Sequence, residues 1–163
     1  MLSHRAQGFA LLITVTALGP AATAAPGQAP GDWRASFQAY QSAQTTSRSV
    51  GAPNGGRLVR GHRLPRAGPG FVRRARGNQF GTAETIALIR FAGARLAEAY
   101  PGTTPLLVGD ISRERGGRLR PHRSHQSGRD VDIAFPERAD EQKRTFNPRL
   151  RPDGVDIEKT WFV

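Results

Sequence analysis

The chain has 163 residues, a length that suits one domain, and it contains no cysteine. A disulfide framework and any thiolate metal site are therefore excluded. Its 24 Lys and Arg outnumber its 13 Asp and Glu, and the resulting formal charge of +11 favours polyanionic partners.

The first 24 residues are predicted to be a Sec-type export signal. Arg5 supplies a positive charge, residues 9–18 form a short apolar run, and residues 22–24 offer small side chains at a cleavage site. A membrane-spanning helix needs about 20 apolar residues. We therefore expect cleavage, a periplasmic protein and no stable membrane span afterwards. The alternative is an uncleaved membrane anchor.

Residues 25–31 are rich in Pro, Gly and Ala, which predicts a disordered leader before a domain at 32–163. Asp32 is predicted to cap a short helix that carries Trp33, Phe37 and Tyr40 on one face. The dense Gly and Pro of residues 51–70 predict turns between short strands, one of them at residues 58–59.

The clearest helix is predicted to begin at Thr82, an N-cap residue, with Glu84 in its first turn. Apolar residues then recur at helical spacing until Pro101, namely Ile86, Ile89, Leu96 and Tyr100. Residues 105–109 read as a buried strand. These elements predict an α+β fold, a small antiparallel sheet flanked by one main helix and long Gly/Pro/Arg-rich loops.

Two histidines and a carboxylate lie close together in the next segment. His122 and His125 are three residues apart, and Asp132 follows His125 by seven. Imidazole and carboxylate groups are zinc ligands, and catalytic zinc sites have three protein ligands and one open position. This spacing is compatible with a metal site.

The residues around Asp132 predict how these groups meet. Val131, Ile133 and Phe135 alternate with polar or small residues, which predicts a half-buried strand with Asp132 on the opposite face. Gly128 can adopt a positive φ, so that the preceding loop folds back and brings His125 beside Asp132. On spacing alone, a polar turn with solvated histidines and a surface carboxylate explains the segment equally well.

Residues 124–133 (SHQSGRDVDI) resemble the zinc-site signature of the penicillin-insensitive murein endopeptidases. That family belongs to the wider group of lysostaphin-type, D-Ala-D-Ala-peptidase-type and Hedgehog-like zinc peptidases. Further segments resemble the family in the same order along the chain, namely 49–56, 64–65, 68–71, Asn78 with Gly81, 107–110 and 116–117. The resemblance extends from about Ser49 to Phe135 and continues more weakly to Trp161.

The resemblance implies a zinc-dependent enzyme that cuts the D-alanyl–meso-diaminopimelyl cross-links of peptidoglycan. It matches His125 and Asp132 to zinc ligands and His122 to a further histidine of the same site. Asp110 and Ser124 are expected to support these ligands from behind. For Asp110, a simple turn cap is an equally good interpretation.

In the family, a later His-x-His segment supplies the third zinc ligand and the histidine assigned to catalysis. No histidine follows His125 here, so no residue of this chain is assigned a catalytic role. We expect the chain to be the N-terminal portion of the family domain, incomplete at its C-terminus. A degenerate, non-catalytic relative is the alternative.

Arginine accumulates between Trp33 and Ala83, where no acidic residue occurs. The residues are Arg34, Arg48, Arg57, Arg60, Arg63, Arg66, Arg73, Arg74 and Arg76. We expect peptidoglycan as the partner, because its stem peptides carry carboxylates that arginine binds in bidentate fashion. A non-catalytic peptidoglycan-binding protein is therefore a competing hypothesis, and a GC-rich genome explains the arginine excess equally well. Nucleic acid is not expected, since no recognised nucleic-acid motif accompanies the arginines.

Overall fold

The computed structural model describes Gln38 and residues 47–75, 77–139 and 145–163. The predicted export signal at 1–24, the leader at 25–31 and, except for Gln38, the helix predicted from Asp32 lie outside the described residues. Within the described ranges, no helix is long and apolar enough to cross a membrane.

The first two strands form an antiparallel hairpin. β1 (Arg48–Ala52) and β2 (Gly55–Val59) pair from Arg48↔Val59 to Ala52↔Gly55, with Pro53 and Asn54 in the turn. β2 contains the short strand expected at residues 58–59, and Leu58 is its buried residue. The turn of this hairpin is hydrogen-bonded to the loop that carries the two histidines.

The remaining strands are short and form two further sheets. β3 (His62–Arg63) pairs antiparallel with β6 (Phe80–Gly81). β5 (Phe71–Arg73) lies between β4 (Ala67–Gly68), antiparallel to it, and β7 (Leu106–Val108), parallel to it. The predicted α+β class is confirmed, but the sheet is divided into three and one pair is parallel, because a helix connects β5 to β7.

That connection contains the main helix, α1 (Ala83–Ala99), where the sequence predicts it. Thr82 caps its start, since the Thr82 hydroxyl accepts a hydrogen bond of 3.3 Å from the Thr85 N–H. The helix packs closely on the β4–β5 turn at Gly93, where an added Cβ would lie 2.8 Å from the Pro69 carbonyl oxygen. A glycine there permits the close approach.

One apolar core joins α1 to the strands. Its buried residues are Leu64, Phe71, Ile86, Ile89, Leu96, Leu106, Val108 and Ile111. Full burial of such a side chain contributes about 1.5–3 kcal/mol. Val131 and Ile133 are partly buried against this core. The core thus fixes β7 and the segment that carries Asp132 relative to each other.

The predicted strand at residues 131–135 is only partly correct. Val131 and Ile133 face the core, but Phe135 is 59% exposed, and Ile133 forms a single antiparallel bridge with Val108. Backbone hydrogen bonds link Asp132 and Ala134 to residues 107–110. Pro136 has no N–H to extend this pairing, so the segment is too short to be a strand and Phe135 turns outward.

The C-terminal residues form a short helix, α2 (Ile157–Phe162), preceded by a 3₁₀ turn (Pro152–Gly154). Asp156 is the N-cap of this helix, and its carboxylate accepts a hydrogen bond of 3.1 Å from the Lys159 N–H. Tyr100, at the end of α1, donates to Glu158 at 2.9 Å and packs edge-on against Phe162. α2 is thereby attached to α1.

Candidate metal centre

The loop that carries the histidines closes on itself through Asp130. The Asp130 carboxylate accepts a hydrogen bond of 2.9 Å from the His125 N–H. His125 adopts a left-handed backbone conformation with a φ of 63°. Such a conformation costs about 1–3 kcal/mol in a residue other than glycine and persists only where the surroundings enforce it. The contacts of the loop therefore keep His125 in this unfavourable backbone conformation.

Gly128 anchors the far end of the loop to α1. Its φ is 73°, as the sequence predicts for a chain reversal at this position. The Gly128 carbonyl accepts hydrogen bonds from the Thr82 N–H at 3.0 Å and from the Thr85 hydroxyl at 2.8 Å. An added Cβ would lie 2.9 Å from both methyl carbons of Leu58 and 3.2 Å from the Gly81 Cα. Any other residue would therefore have to displace the Leu58 side chain and also adopt an unfavourable φ.

The middle of the loop is anchored to the hairpin and to the turn at Gly116 and Gly117. The Gln126 N–H donates to the Pro53 carbonyl at 3.0 Å, and the Gly117 N–H donates to the Gln126 carbonyl at 2.9 Å. Both glycines have a positive φ. The histidine loop is therefore held on three sides by backbone contacts.

Asp132 lies on the segment that pairs with the end of β7. Its N–H donates to the Asp110 carbonyl at 3.0 Å, and its own carbonyl accepts from the Gly109 N–H at 2.7 Å. With Val131 and Ile133 turned to the core, the Asp132 side chain points the other way and remains 33% exposed. It is thereby directed towards the histidine loop.

His122, His125 and Asp132 form a compact cluster. One ligand atom from each lies within 4.8 Å of the other two. The His125 Nε2 is 3.1 Å from an Asp132 carboxylate oxygen, and the two imidazole rings are 4.6 Å apart, edge to face. The contact of His125 with Asp132 that the sequence predicts is present, and His122 joins it.

The donor set of two imidazoles and one carboxylate is compatible with a metal ion such as zinc. Bonds of about 2.0–2.1 Å in tetrahedral geometry place ligand atoms about 3.3 Å apart, close to the observed 3.1 Å between His125 and Asp132. His125 is 4% exposed, and its Nδ1 makes no hydrogen bond to any residue that the structure describes, although an Asp130 carboxylate oxygen lies 2.9 Å from it. The less buried His122 and Asp132 side chains give solvent access to the cluster.

Asp110 lies behind His122 and connects it to Arg74. One Asp110 carboxylate oxygen is 3.3 Å from the His122 Nε2 and accepts a hydrogen bond of 2.8 Å from the Arg74 guanidinium. Only 3% of the Asp110 side chain is exposed. Its negative charge is thus compensated by the partly buried Arg74 and is available to orient the His122 ring.

Of the two residues expected to support the ligands, Asp110 contacts His122, with a carboxylate oxygen 3.3 Å from the His122 Nε2. Ser124 is half-buried and makes no side-chain hydrogen bond within the part of the chain that the structure describes. Asp130 contacts His125, and Arg74 contacts Asp110. The sequence analysis identified neither of them as a site residue. The Asp-x-Asp spacing of Asp130 and Asp132 is a sequence signal for the first, whereas nothing near Arg74 points to the second.

The arginine-rich region is not a uniform basic surface. Arg57, Arg60 and Arg66 are exposed, but Arg73 donates hydrogen bonds to the Leu64 carbonyl at 3.0 Å and to the Gln79 amide at 3.2 Å. Its own burial, together with nearby arginines, lowers the pKa of Arg73. Arg73 and Arg74 are therefore structural cations inside the fold.

A basic cleft opens beside the cluster. It has a volume of about 810 Å³, and His122 lies in its wall. The other lining residues are Asn54, Arg118, Arg120, Pro121, Arg123 and Gln126. His122 thus belongs both to the metal-compatible cluster and to the cleft.

The sequence model of the family described as "Penicillin-insensitive murein endopeptidase" matches residues 49–158. This range includes the cluster and every ordered segment that resembles the family. The match confirms the resemblance.

Proteins named penicillin-insensitive murein endopeptidase are also similar to the chain individually. One from Klebsiella pneumoniae is 30% identical over 115 residues, which are 69% of this chain and 40% of that protein. One from Haemophilus influenzae is 33% identical over 107 residues, 64% of this chain and 37% of its own length. The chain thus spans about 40% of the length of these relatives.

Proposed function

Because the chain belongs to the penicillin-insensitive murein endopeptidase family, we propose that it carries the metal-binding part of a zinc-dependent peptidoglycan hydrolase. The observation that carries the proposal is the meeting of His122, His125 and Asp132 within 4.8 Å. Two imidazoles and one carboxylate are a donor set found in catalytic zinc sites, which keep a fourth position for water.

In this proposal the side chains have separate tasks. His125 and Asp132 bind the ion, and His122 contributes the third donor. Asp130 fixes His125 through its backbone N–H, and Asp110, compensated by Arg74, orients His122. When bound, zinc would lower the pKa of a coordinated water towards about 7 and polarise a scissile carbonyl.

The substrate we propose is the D-alanyl–meso-diaminopimelyl cross-link of peptidoglycan. This specificity and a periplasmic location rest on the family and on the predicted export signal at residues 1–24. The Asp132 side chain, which is 33% exposed, and the cleft at His122 leave the cluster open on one side, as an extended peptide requires.

Zinc titration calorimetry on the metal-free protein tests the site. We predict one zinc site. Loss of a residue that only supports a metal ligand lowers metal affinity about 10–100-fold. His125→Ala and Asp132→Ala should each lower the zinc affinity by more than that, because they remove ligands. His122→Ala should also weaken binding, because water replaces the lost donor poorly. His62→Ala is the matched control, since His62 is a histidine outside the cluster. Tight stoichiometric binding that is insensitive to Asp132→Ala would place the metal elsewhere.

A second candidate function is non-catalytic peptidoglycan binding, which the basic cleft favours. Insoluble sacculi incubated with the protein, with and without zinc, separate the two functions. Zinc-dependent release of cross-linked peptides as monomers supports hydrolysis, whereas co-sedimentation without cleavage even when zinc is present supports binding alone. Protein that stays in the supernatant at moderate salt eliminates the binding function.

A further inference from the structure

The cleft beside His122 has a strongly cationic wall that the cluster itself does not use. We propose that Arg118, Arg120 and Arg123 form a subsite for carboxylate groups of an anionic peptide. The peptide class rests on the proposed function, whereas the carboxylate chemistry rests on the cleft.

The three arginines come from one short segment and all face solvent. Leu119 is 3% exposed and anchors the segment in the protein, while its neighbours Arg118 and Arg120 are exposed. None of the three makes an ion pair or a side-chain hydrogen bond to another described residue. The cleft therefore presents three guanidinium groups that have no carboxylate partner among the described residues, and a bound anion would supply that counter-charge.

A carboxylate suits these cations better than a compact inorganic ion. Guanidinium groups present planar pairs of N–H donors that match the two oxygens of a carboxylate. Asn54 and Gln126 add side-chain amides, which can pair with peptide N–H and C=O groups. The Gln126 amide also donates to the Arg123 carbonyl at 3.2 Å, which restrains this part of the wall.

The location of the cleft links it to the proposed chemistry. His122 lines the cleft and also belongs to the metal-compatible cluster. A peptide held by its carboxylates in the cleft therefore places a neighbouring amide beside the cluster. The volume of about 810 Å³ lies within the range of about 300–1,000 Å³ that is typical of ligand sites.

The test measures peptide binding to the full chain in a chelator, so that zinc does not contribute. The probes are a stem tetrapeptide with free carboxylates and its carboxamide analogue, at physiological ionic strength. A triple variant, Arg118→Gln with Arg120→Gln and Arg123→Gln, should bind the acidic peptide about tenfold more weakly, the loss of about one charged hydrogen bond. The carboxamide analogue should bind weakly to both proteins.

The matched control removes the same charge from exposed arginines outside the cleft, by Arg48→Gln with Arg113→Gln and Arg149→Gln. This control should keep the affinity for the acidic peptide within about twofold, since exposed charges beyond a Debye length of about 8 Å are largely screened. An equal loss in both triple variants would overturn the proposal in favour of net charge alone.

Two further probes exclude other anions. If inorganic phosphate or a short oligonucleotide binds the cleft more tightly than the peptide, and loses affinity only in the first triple variant, the carboxylate assignment is overturned. His125→Ala separates the two proposals, because it should abolish zinc binding and leave peptide affinity in chelator unchanged. Failure of zinc binding alone would therefore refute the proposed function and not the subsite.

Discussion

At the scale of single residues, the cluster depends on a strained His125. Its backbone φ of 63° is unfavourable for any side chain, yet the residue is buried and its N–H is bound by Asp130. The His125 imidazole is therefore restricted to orientations that face Asp132. Pre-organisation of this kind reduces the cost of ordering a ligand when a metal binds.

We therefore predict that Asp130→Ala weakens zinc binding about 10–100-fold although Asp130 is not one of the clustered donors. The reason is that the loop loses the acceptor that holds the His125 N–H. Asp130→Asn should restore much of the affinity, because its amide oxygen can accept the same hydrogen bond. Zinc titration of both variants is the measurement. Equal affinities for Asp130→Ala and the parent protein would refute the positioning role.

At the scale of elements, the loop is shaped by contacts with β2 and with the Gly116-Gly117 turn. Both glycines have a φ near 70–75°, but their surroundings differ. A Cβ on Gly116 would lie 2.3 Å from the Gln126 carbonyl oxygen and 2.4 Å from the Leu58 nitrogen. A Cβ on Gly117 would meet nothing within 4 Å.

This pair of neighbours provides a controlled prediction. Gly117→Ala should destabilise the protein by about 1–2 kcal/mol, the cost of a left-handed conformation alone. Gly116→Ala should cost at least about 2 kcal/mol more, because rigid backbone must move, and it should also weaken zinc binding. Thermal or urea unfolding of both variants measures the difference. Similar stabilities for the two variants would show that close packing of Gly116 against the histidine loop is not required.

The C-terminal helix α2 is a second element with a specific dependence. A helix of six residues has little intrinsic stability, so it relies on its cap and on its contacts with Tyr100. The hydrogen bond from the Lys159 N–H, with the Lys159 charge, lowers the pKa of Asp156 below its ordinary value of 3.8.

Because the folded-state pKa of Asp156 is lowered, its contribution to stability is present above about pH 3.8 and is lost as the pH falls through the folded value. We predict that the protection factor of the Lys159 amide, which compares its exchange rate with that of an unfolded chain at the same pH, falls in this acid range. Asp156→Asn should keep the cap and remove this pH dependence. NMR hydrogen exchange at Lys159 and Thr160 between neutral pH and pH 3 is the measurement, and an unchanged acid response in Asp156→Asn would contradict it.

At the scale of the whole molecule, the cluster joins parts of the fold that are distant in the sequence. The His122 and His125 loop rests on the β1–β2 hairpin and α1, while Asp132 pairs with the end of β7. An ion bound between them would link these parts, and the unfolded chain has no such site. Metal binding should therefore couple to global stability.

We predict that zinc raises the melting temperature, with a gain of about 2.7 kcal/mol when free zinc is 100-fold above Kd. His125→Ala should melt at the same temperature with and without zinc, whereas His62→Ala should respond like the parent protein. Differential scanning calorimetry over a range of zinc concentrations measures the effect. A melting temperature that zinc leaves unchanged in the parent protein would mean that the folded state has no site of useful affinity.

The sequence by itself determined the features that depend on local physics. Short-range spacing and backbone preference predict the cap at Thr82, the buried face of α1, the strand at 106–108 and the positive φ of Gly128. Each of these requires only that a residue suit its own conformation or its neighbours within a few positions. For His125 and Asp132 the same spacing left two interpretations open, and the structure shows the one in which they meet.

Only the tertiary structure decided how distant groups combine. Arg74 and Asp110 are 36 positions apart, and their pairing behind His122 arises because β5 and β7 lie side by side in one sheet. The packing of the surrounding elements likewise decides that Phe135 is exposed. It also decides that three arginines line one cleft, namely Arg118, Arg120 and Arg123. Such contacts have no periodic signature, because they are set by the packing of whole elements around the shared core.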